Sequence, residues 1–279
     1  MAAKRRFFGP AGKVVALGAY LVFAISPLLW IIITSLKAPK EIYTFPIQYL
    51  PSHPSFASYA KLFRLSEFGV YFRNSLALTL SASLGVLGLA TLSGFGLSRL
   101  GRKILKKRLL FVLYFSQMIP PFVLMVPLYA TFSALGAVDN LAVVAVIYVS
   151  TVLAFSVIMA KSFFDRIPVE LEEAASIDGC SAFQSLVWVI LPVMRSGLAA
   201  IFCFAFVNIW NELFVAVLFL SASNHLTVPV ALYSFISKAG ISWDVLSAGI
   251  VVALLPTMVV FGFGQRYIMA GLTEGSVKG

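Results

Sequence analysis

Five of the chain's eleven carboxylates, Asp165, Glu170, Glu172, Glu173 and Asp178, fall within fourteen residues, and Gly179 follows at once. Pro168 suits the first turn of a helix, and Glu170, Glu172 and Glu173 come next, where carboxylates complement the positive end of the helix dipole. Leu171, Ala174, Ala175 and Ile177 recur three and four apart and predict one small apolar face, with paired alanines leaving room for another surface to come close. Asp178-Gly179 predicts the stop, since glycine takes a left-handed conformation at no steric cost. Ser181 with Gln184 is a capping-box pattern for a second helix. Its predicted apolar face is Phe183, Leu186, Val187 and Ile190, and Pro192 is expected to end it. Read from residues alone, this helix–turn–helix either caps a helical bundle or is a docking knob for a partner, with the acids giving orientation and specificity more than raw affinity.

Other chemistry finds little to stand on. Cys180 and Cys203 make neither a disulfide framework nor a metal spacing. His53 and His225 lie far apart, each without a His or Glu neighbour at ligand spacing, and zinc hydrolase motifs are absent. The N-terminal "GPAGKV" is no phosphate loop: Gly9 and Gly12 are too close, and Val14 stands where a Ser or Thr would hold magnesium. Neither a nucleophile–base pair nor a metal set appears, so a membrane-embedded hydrolase is disfavoured. No site for a cofactor is expected on this chain.

The elements that must position the acidic stretch are apolar. Of 279 residues 60% are hydrophobic and 11% charged, against about 25% charged in an ordinary soluble domain. Such sparse charge cannot cover a water-facing surface. Long unbroken apolar runs, without period-two alternation, predict helices in lipid rather than a barrel. The net charge of +10 fits basic loops against lipid headgroups; nucleic acid is not expected, because no soluble basic domain is there to bind it.

Six stretches reach spanning length: 14–36, 74–98, 109–138, 141–160, 196–220 and 245–265. The third is interrupted by Pro120, Pro121 and Pro127, which predicts a kink. The longest polar connection is 37–72, and its Pro-rich stretch "FPIQYLPSHPSF", 45–56, is expected to be extended turns. With the N-terminus inside, fifteen Lys and Arg residues lie on the cytoplasmic side and six outside, so both termini and the acidic loop are expected in the cytoplasm. The run Arg99–Arg108 is then simply a topology anchor. In the fifth stretch "NIWNEL" puts Asn208, Asn211 and Glu212 inside a span. A carboxylate there costs roughly 2.5–3.5 kcal/mol on insertion scales, so these residues are expected either to bond to another helix, to mark the outer end of the span, or to line a gate or solute path. Phe202, Phe204 and Phe206 are expected to pack rather than to form a sugar platform.

"EAASIDGCSAFQSLVWVILP" resembles the EAA loop of ABC-importer permeases, E-A-A-x3-G-x9-I-x-L-P. Glu173, Ala174, Ala175, Gly179, Leu191 and Pro192 match in place, with Val189 where isoleucine is usual. "PLLWIIITSLK", "FRNSLALTL", "MIPPFVLMVPLY", "LGAVDN", "WNELFVAV" and the closing "GLTEGSVKG" extend the resemblance to the MalG-like, sugar-importer branch. The resemblance implies an all-α type I importer permease with six transmembrane helices. It implies a cytoplasmic segment 1–13, a permease domain 14–268 with its coupling loop at 161–195, and a tail 269–279 that reaches towards the ATPase. It implies that Glu170, Glu173, Ala174, Ala175, Asp178, Gly179, Leu191 and Pro192 form the part that docks on an ATPase. The expected partners are a second permease, two ATPase subunits that hold ATP and magnesium, a solute-binding protein, and a sugar or polyol solute. The bacterial inner membrane is the expected location. A secondary transporter or channel is the competing reading; it would need intramembrane ion sites or repeats, and only one membrane acid is present.

Overall fold

The computed structural model describes residues 9–237 and 240–274. The first eight residues and 275–279, which hold part of the expected N-terminal segment and tail, lie outside them. In chain order the helices are α1 (Pro10–Ser35), α2 (Pro39–Ile42), α3 (Ala57–Leu65), α4 (Phe68–Arg99), α5 (Lys103–Met118), α6 (Pro121–Ala134), α7 (Leu141–Phe164) and α8 (Glu170–Ile177). There follow α9 (Ala182–Val193), α10 (Arg195–Trp210), α11 (Phe214–Phe219), α12 (Val228–Ser234) and α13 (Trp243–Glu274). The strands Ile236–Ser237 and Gly240–Ile241 form a two-residue antiparallel pair.

Among the described residues four helices, α1, α4, α7 and α13, are long and apolar enough to cross a membrane unbroken, and two bent pairs raise the number of possible spans to 6. The expected third span is α5 and α6, which meet at 89°. Pro120 and Pro121 cannot donate to the preceding turn, so α5 ends at Met118 and a new helix starts with Pro121 in its first turn. Pro127 is carried inside α6. α5 also begins six residues before the apolar stretch, at Lys103, because Lys and Arg are good helix formers whose long stems lie along apolar surface. The expected fifth span is not one helix either. α10 stops at Trp210, residues 211–213 turn, and α11 resumes at Phe214. The Pro-rich stretch 45–56 is free of helix, as expected, and the rest of the connection 37–72 holds α2, α3 and the start of α4.

The chain divides into two compact units, one taking in the chain up to Ser66 with Leu232–Leu254, the other Glu67–Ala231 with the chain from Leu255. In the first, Lys37 is buried, yet satisfied: it donates to Gln48 O and lies 4.7 Å over the Trp30 ring. Ser35 and Tyr59 share a hydrogen bond of 2.8 Å, Tyr43 donates to Ile241 O at 2.6 Å, and Lys61 pairs with Asp244 at 3.3 Å.

The second unit holds two apolar clusters. One gathers Leu78, Val86, Val144, Tyr148, Ile209 and Phe219. The other gathers Ala90, Leu97, Ala160, Phe164, Leu186 and Ile190, and so joins α4 and α7 to the second arm of the acidic loop. A small residue also lets α10 close up on α7: a Cβ on Gly197 would lie 2.7 Å from Phe163 Cγ. Phe204 packs on Phe155 at 4.7 Å and Phe206 stacks on Trp210 at 5.9 Å, the packing role expected of these aromatics.

Candidate functional site: the acidic loop and its seat

α8 carries Glu170, Glu172 and Glu173 in its first turn, where unpaired backbone N–H groups favour negative charge. Its other end is a complete Schellman motif. Gly179 has φ +87°, its N–H donates to Ser176 O at 3.1 Å, and Cys180 N–H donates to Ala175 O at 2.9 Å. Two residues later the capping box closes: Gln184 N–H donates to Ser181 Oγ at 3.3 Å, and Ser181 N–H donates to Gln184 Oε1 at 2.8 Å. Between two such caps the turn has little freedom.

The apolar face of α8 is largely exposed, and the expected apolar face of α9 is split. Of Leu171, Ala174, Ala175 and Ile177 only Ala175 is buried, and Ile177 is 86% exposed. In α9, Leu186 and Ile190 are buried while Phe183 and Val187 are exposed. The cause is Pro192. It has no N–H for Trp188 O, and its ring would press on that carbonyl. The helix widens instead: Ser185–Ile190 is a π-type turn in which Leu191 N–H reaches back to Leu186 O. The wider turn shifts the side-chain register, so the proline remodels the helix rather than ending it at once. α9 ends at Val193 and meets α10 at 82°.

The acids face different ways. Glu170, Glu173, Asp178 and the matched Ala174 are exposed, as are Gly179 and Pro192, while Leu191 is half-buried. Glu172 turns inward. Arg99, the last residue of α4, donates from Nε to its Oε1 at 2.6 Å, and Nη2 lies 2.5 Å from the same oxygen as an ion pair. The same guanidinium donates to Phe164 O at 3.2 Å and Ile167 O at 3.1 Å. Beside it Ser98 donates to Asp165 Oδ1 at 2.6 Å, Lys161 pairs with Asp165, and Lys106 donates to Ser98 O at 3.1 Å. Burial opposes ionisation of Asp165, but Lys161 and Ser98 outweigh it and hold the carboxyl below its usual range. Arg99 and Glu172 belong to none of the expected site residues. On sequence Arg99 reads as a topology anchor; the acid-rich helix in need of a cation is the one signal that points to it.

Asn208, Asn211 and Glu212 come together at the end of α10. Asn208 and Asn211 are exposed, and each donates to the carbonyl four residues back, Phe204 O and Val207 O, at 2.8 Å. Glu212 stands in the turn rather than inside a helix. Both its oxygens lie 3.1 Å from Val215 N–H, so the carboxylate caps α11 and meets the positive end of that helix. Among the described residues no three His, Cys, Asp or Glu side chains are grouped to hold a metal.

These features have close relatives. Residues 86–273 match the family described as binding-protein-dependent transport system inner membrane component. The chain is 32% identical to the inner membrane ABC transporter permease protein YcjP of Escherichia coli over all of both chains. It is 30% identical to the sulfoquinovosyl glycerol transport system permease protein SmoH of Agrobacterium fabrum, over 98% of this chain and 95% of the other. In fold it resembles a chain of a bacterial ABC transporter involved in import of the acidic polysaccharide alginate, with a TM-score of 0.79 and 23% identity over 96% of this chain and 98% of that one. With this match, the apolar helices and the acidic helix–turn–helix, the chain belongs to the family of binding-protein-dependent transport system inner membrane components, and is a membrane-spanning ABC-importer permease subunit rather than an ATPase.

Proposed function

We propose that this chain is one half of a solute path across the inner membrane, moving a sugar or related polyol from an extracytoplasmic binding protein to the cytoplasm. The observation that carries the reading is the seating of α8 and α9. The exposed face with Glu170, Glu173 and Ala174 is free to meet an ATPase, while Leu186 and Ile190 are built into the same apolar cluster as α4 and α7. A capped helix transmits force where a floppy loop would not. ATP and magnesium belong to two partner ATPase subunits, and the sugar class follows the relative that carries sulfoquinovosyl glycerol. A second permease is needed, because Asn208, Asn211 and Glu212 offer too few partners for a sugar's hydroxyls, and each buried unpaired polar group costs about 1–3 kcal/mol. With the positive-inside bias, both termini and α8 lie in the cytoplasm.

The test is reconstitution in liposomes with a panel of sugars. The complex with its second permease, ATPase pair and loaded binding protein is expected to take up solute and hydrolyse ATP; the isolated chain is expected to do neither. Gradient-driven uptake by the chain alone would favour a secondary transporter. Single cysteines at Ser55 and Ser176 read the orientation: Ser55 labels in intact cells, Ser176 after permeabilisation.

A further inference from the structure

α8 is joined to the end of α7 by the linker 165–169 and to α9 by the turn at Gly179. Backbone alone would let it pivot when an ATPase pushes on it. One side chain bridges these parts. The Arg99 guanidinium and the Glu172 carboxylate are each 19% exposed, so their charge-assisted bonds are sheltered from water. Four groups converge on that guanidinium: Glu172 from α8, Phe164 O from the end of α7, Ile167 O from the linker, and Ser98 Oγ, its own neighbour on α4. Phe95, one turn back on α4, lies beneath it at 5.9 Å. The cation also sits where α4 and α7 end, which their dipoles favour. Lysine could not replace it, because a point charge on a flexible stem cannot serve a carboxylate and two carbonyls in fixed directions.

We propose that Arg99 is the positioning residue that makes α8, the end of α7 and the end of α4 one rigid body, so that a displacement of α8 reaches both membrane helices. Glu172 is its partner and faces inward, away from the surface offered to the ATPase. The acid cluster therefore divides its labour: Glu170 and Glu173 present charge outward, and Glu172 anchors. This rests on the reading that α8 meets an ATPase.

The test is spin-label distance measurement on the purified complex, lacking Cys180 and Cys203 and labelled at Ile177 of α8 and Leu89 of α4, both exposed. In the otherwise native complex the distance distribution is expected to be narrow, and unchanged between the nucleotide-free and the ATP–vanadate-trapped state. R99K keeps the positive charge, so membrane orientation is preserved; E172Q keeps the shape. Both are expected to broaden the distribution about twofold without nucleotide, as the linker becomes the main tether, and to shift it on trapping. Distributions in R99K and E172Q as narrow as in the parent would overturn the proposal, as would a parent distance that changes on trapping. The nucleotide-free width needs no ATPase contact. Failure of the docking reading would therefore show separately, as an α8 label whose distance to a label on the ATPase does not respond to ATP and vanadate.

Discussion

Gly94 lies so close to Ala160 that a Cβ on Gly94 would come within 2.5 Å of the Ala160 Cβ and 2.9 Å of Lys161 N. Since one of these neighbours is backbone, no rotamer change relieves the contact; α4 and α7 must separate just above the seat of the acidic loop. G94A is expected to destabilise the protein by about 1–3 kcal/mol, the range for overpacking a close contact, and to lower its melting temperature in detergent. Gly88 lies on the same helix, with nothing within 4 Å of a Cβ, and G88A is the matched control, expected to be neutral or slightly stabilising.

At Gly179 the constraint is the backbone alone. The φ of +87° is strained for a branched residue, yet nothing lies within 4 Å of an added Cβ. Asparagine tolerates this region and valine does not, at roughly 1–2 kcal/mol per residue. G179V is therefore expected to reduce co-purification of the ATPase subunits and ATP hydrolysis by the complex, while G179N keeps most of both. Insertion into the membrane should be normal in each. Equal behaviour of the two variants would mean that the left-handed turn does not matter to coupling.

The local parts of this site were legible in the sequence, and the long-range parts were not. The acids in the first turn of α8, the glycine stop and the capping box depend on residues within a few positions of one another and are where the pattern puts them, although Pro168 stands just before the N-cap Val169 rather than in the first turn. The Arg99–Glu172 pair joins residues 73 apart, and nothing local distinguishes Glu172 from Glu170 or Glu173. Pro192 was recognisable as a helix disturbance, but its outcome, a widened turn that buries Leu186 and Ile190 and exposes Phe183 and Val187, depends on what the helix packs against. Hydropathy likewise located all six apolar stretches and missed the turn at 211–213, because Asn211, Glu212 and Leu213 interrupt it too briefly to lower a spanning-length average.

At the other end of α7, Asp139 holds the loop before α12. It adopts φ 62°, and its Oδ1 accepts from Ser221 N–H at 2.9 Å and Ala222 N–H at 3.1 Å, with His225 Nδ1 3.1 Å from Oδ2. The Ser221 N–H above all, with Ala222 and His225, holds the carboxyl below its ordinary value of 3.8. A depressed carboxyl stabilises the fold above its unfolded-state value and loses that contribution as pH falls through the folded-state value. D139N keeps an acceptor and tolerates the positive φ but lacks the charge. It is expected to melt below the parent at neutral pH, with the difference closing as pH drops below 3.8. A difference that stays constant down to that pH would assign the effect to shape rather than charge.

Asn208 and Glu212 separate a path role from a structural one. Asn208 is exposed and, among the described residues, bonds to its own helix at Phe204 O, so removing it leaves no described buried group unpaired. N208L is expected to leave stability and complex assembly unchanged. If this surface faces a wet path shared with the second permease, N208L should still lower solute uptake, since a hydroxyl partner has been replaced by an apolar side chain. Glu212 does structural work whatever it faces: E212A uncovers Val215 N–H, and loss of a helix cap costs about 0.5–2 kcal/mol. It should therefore lower the melting temperature, and E212D, which keeps a short carboxylate able to cap, should recover part of it. Uptake that tracks the melting temperature across E212A and E212D would make Glu212 a cap only. Uptake that stays low in E212D after stability returns would place its carboxylate in the path beside Asn208.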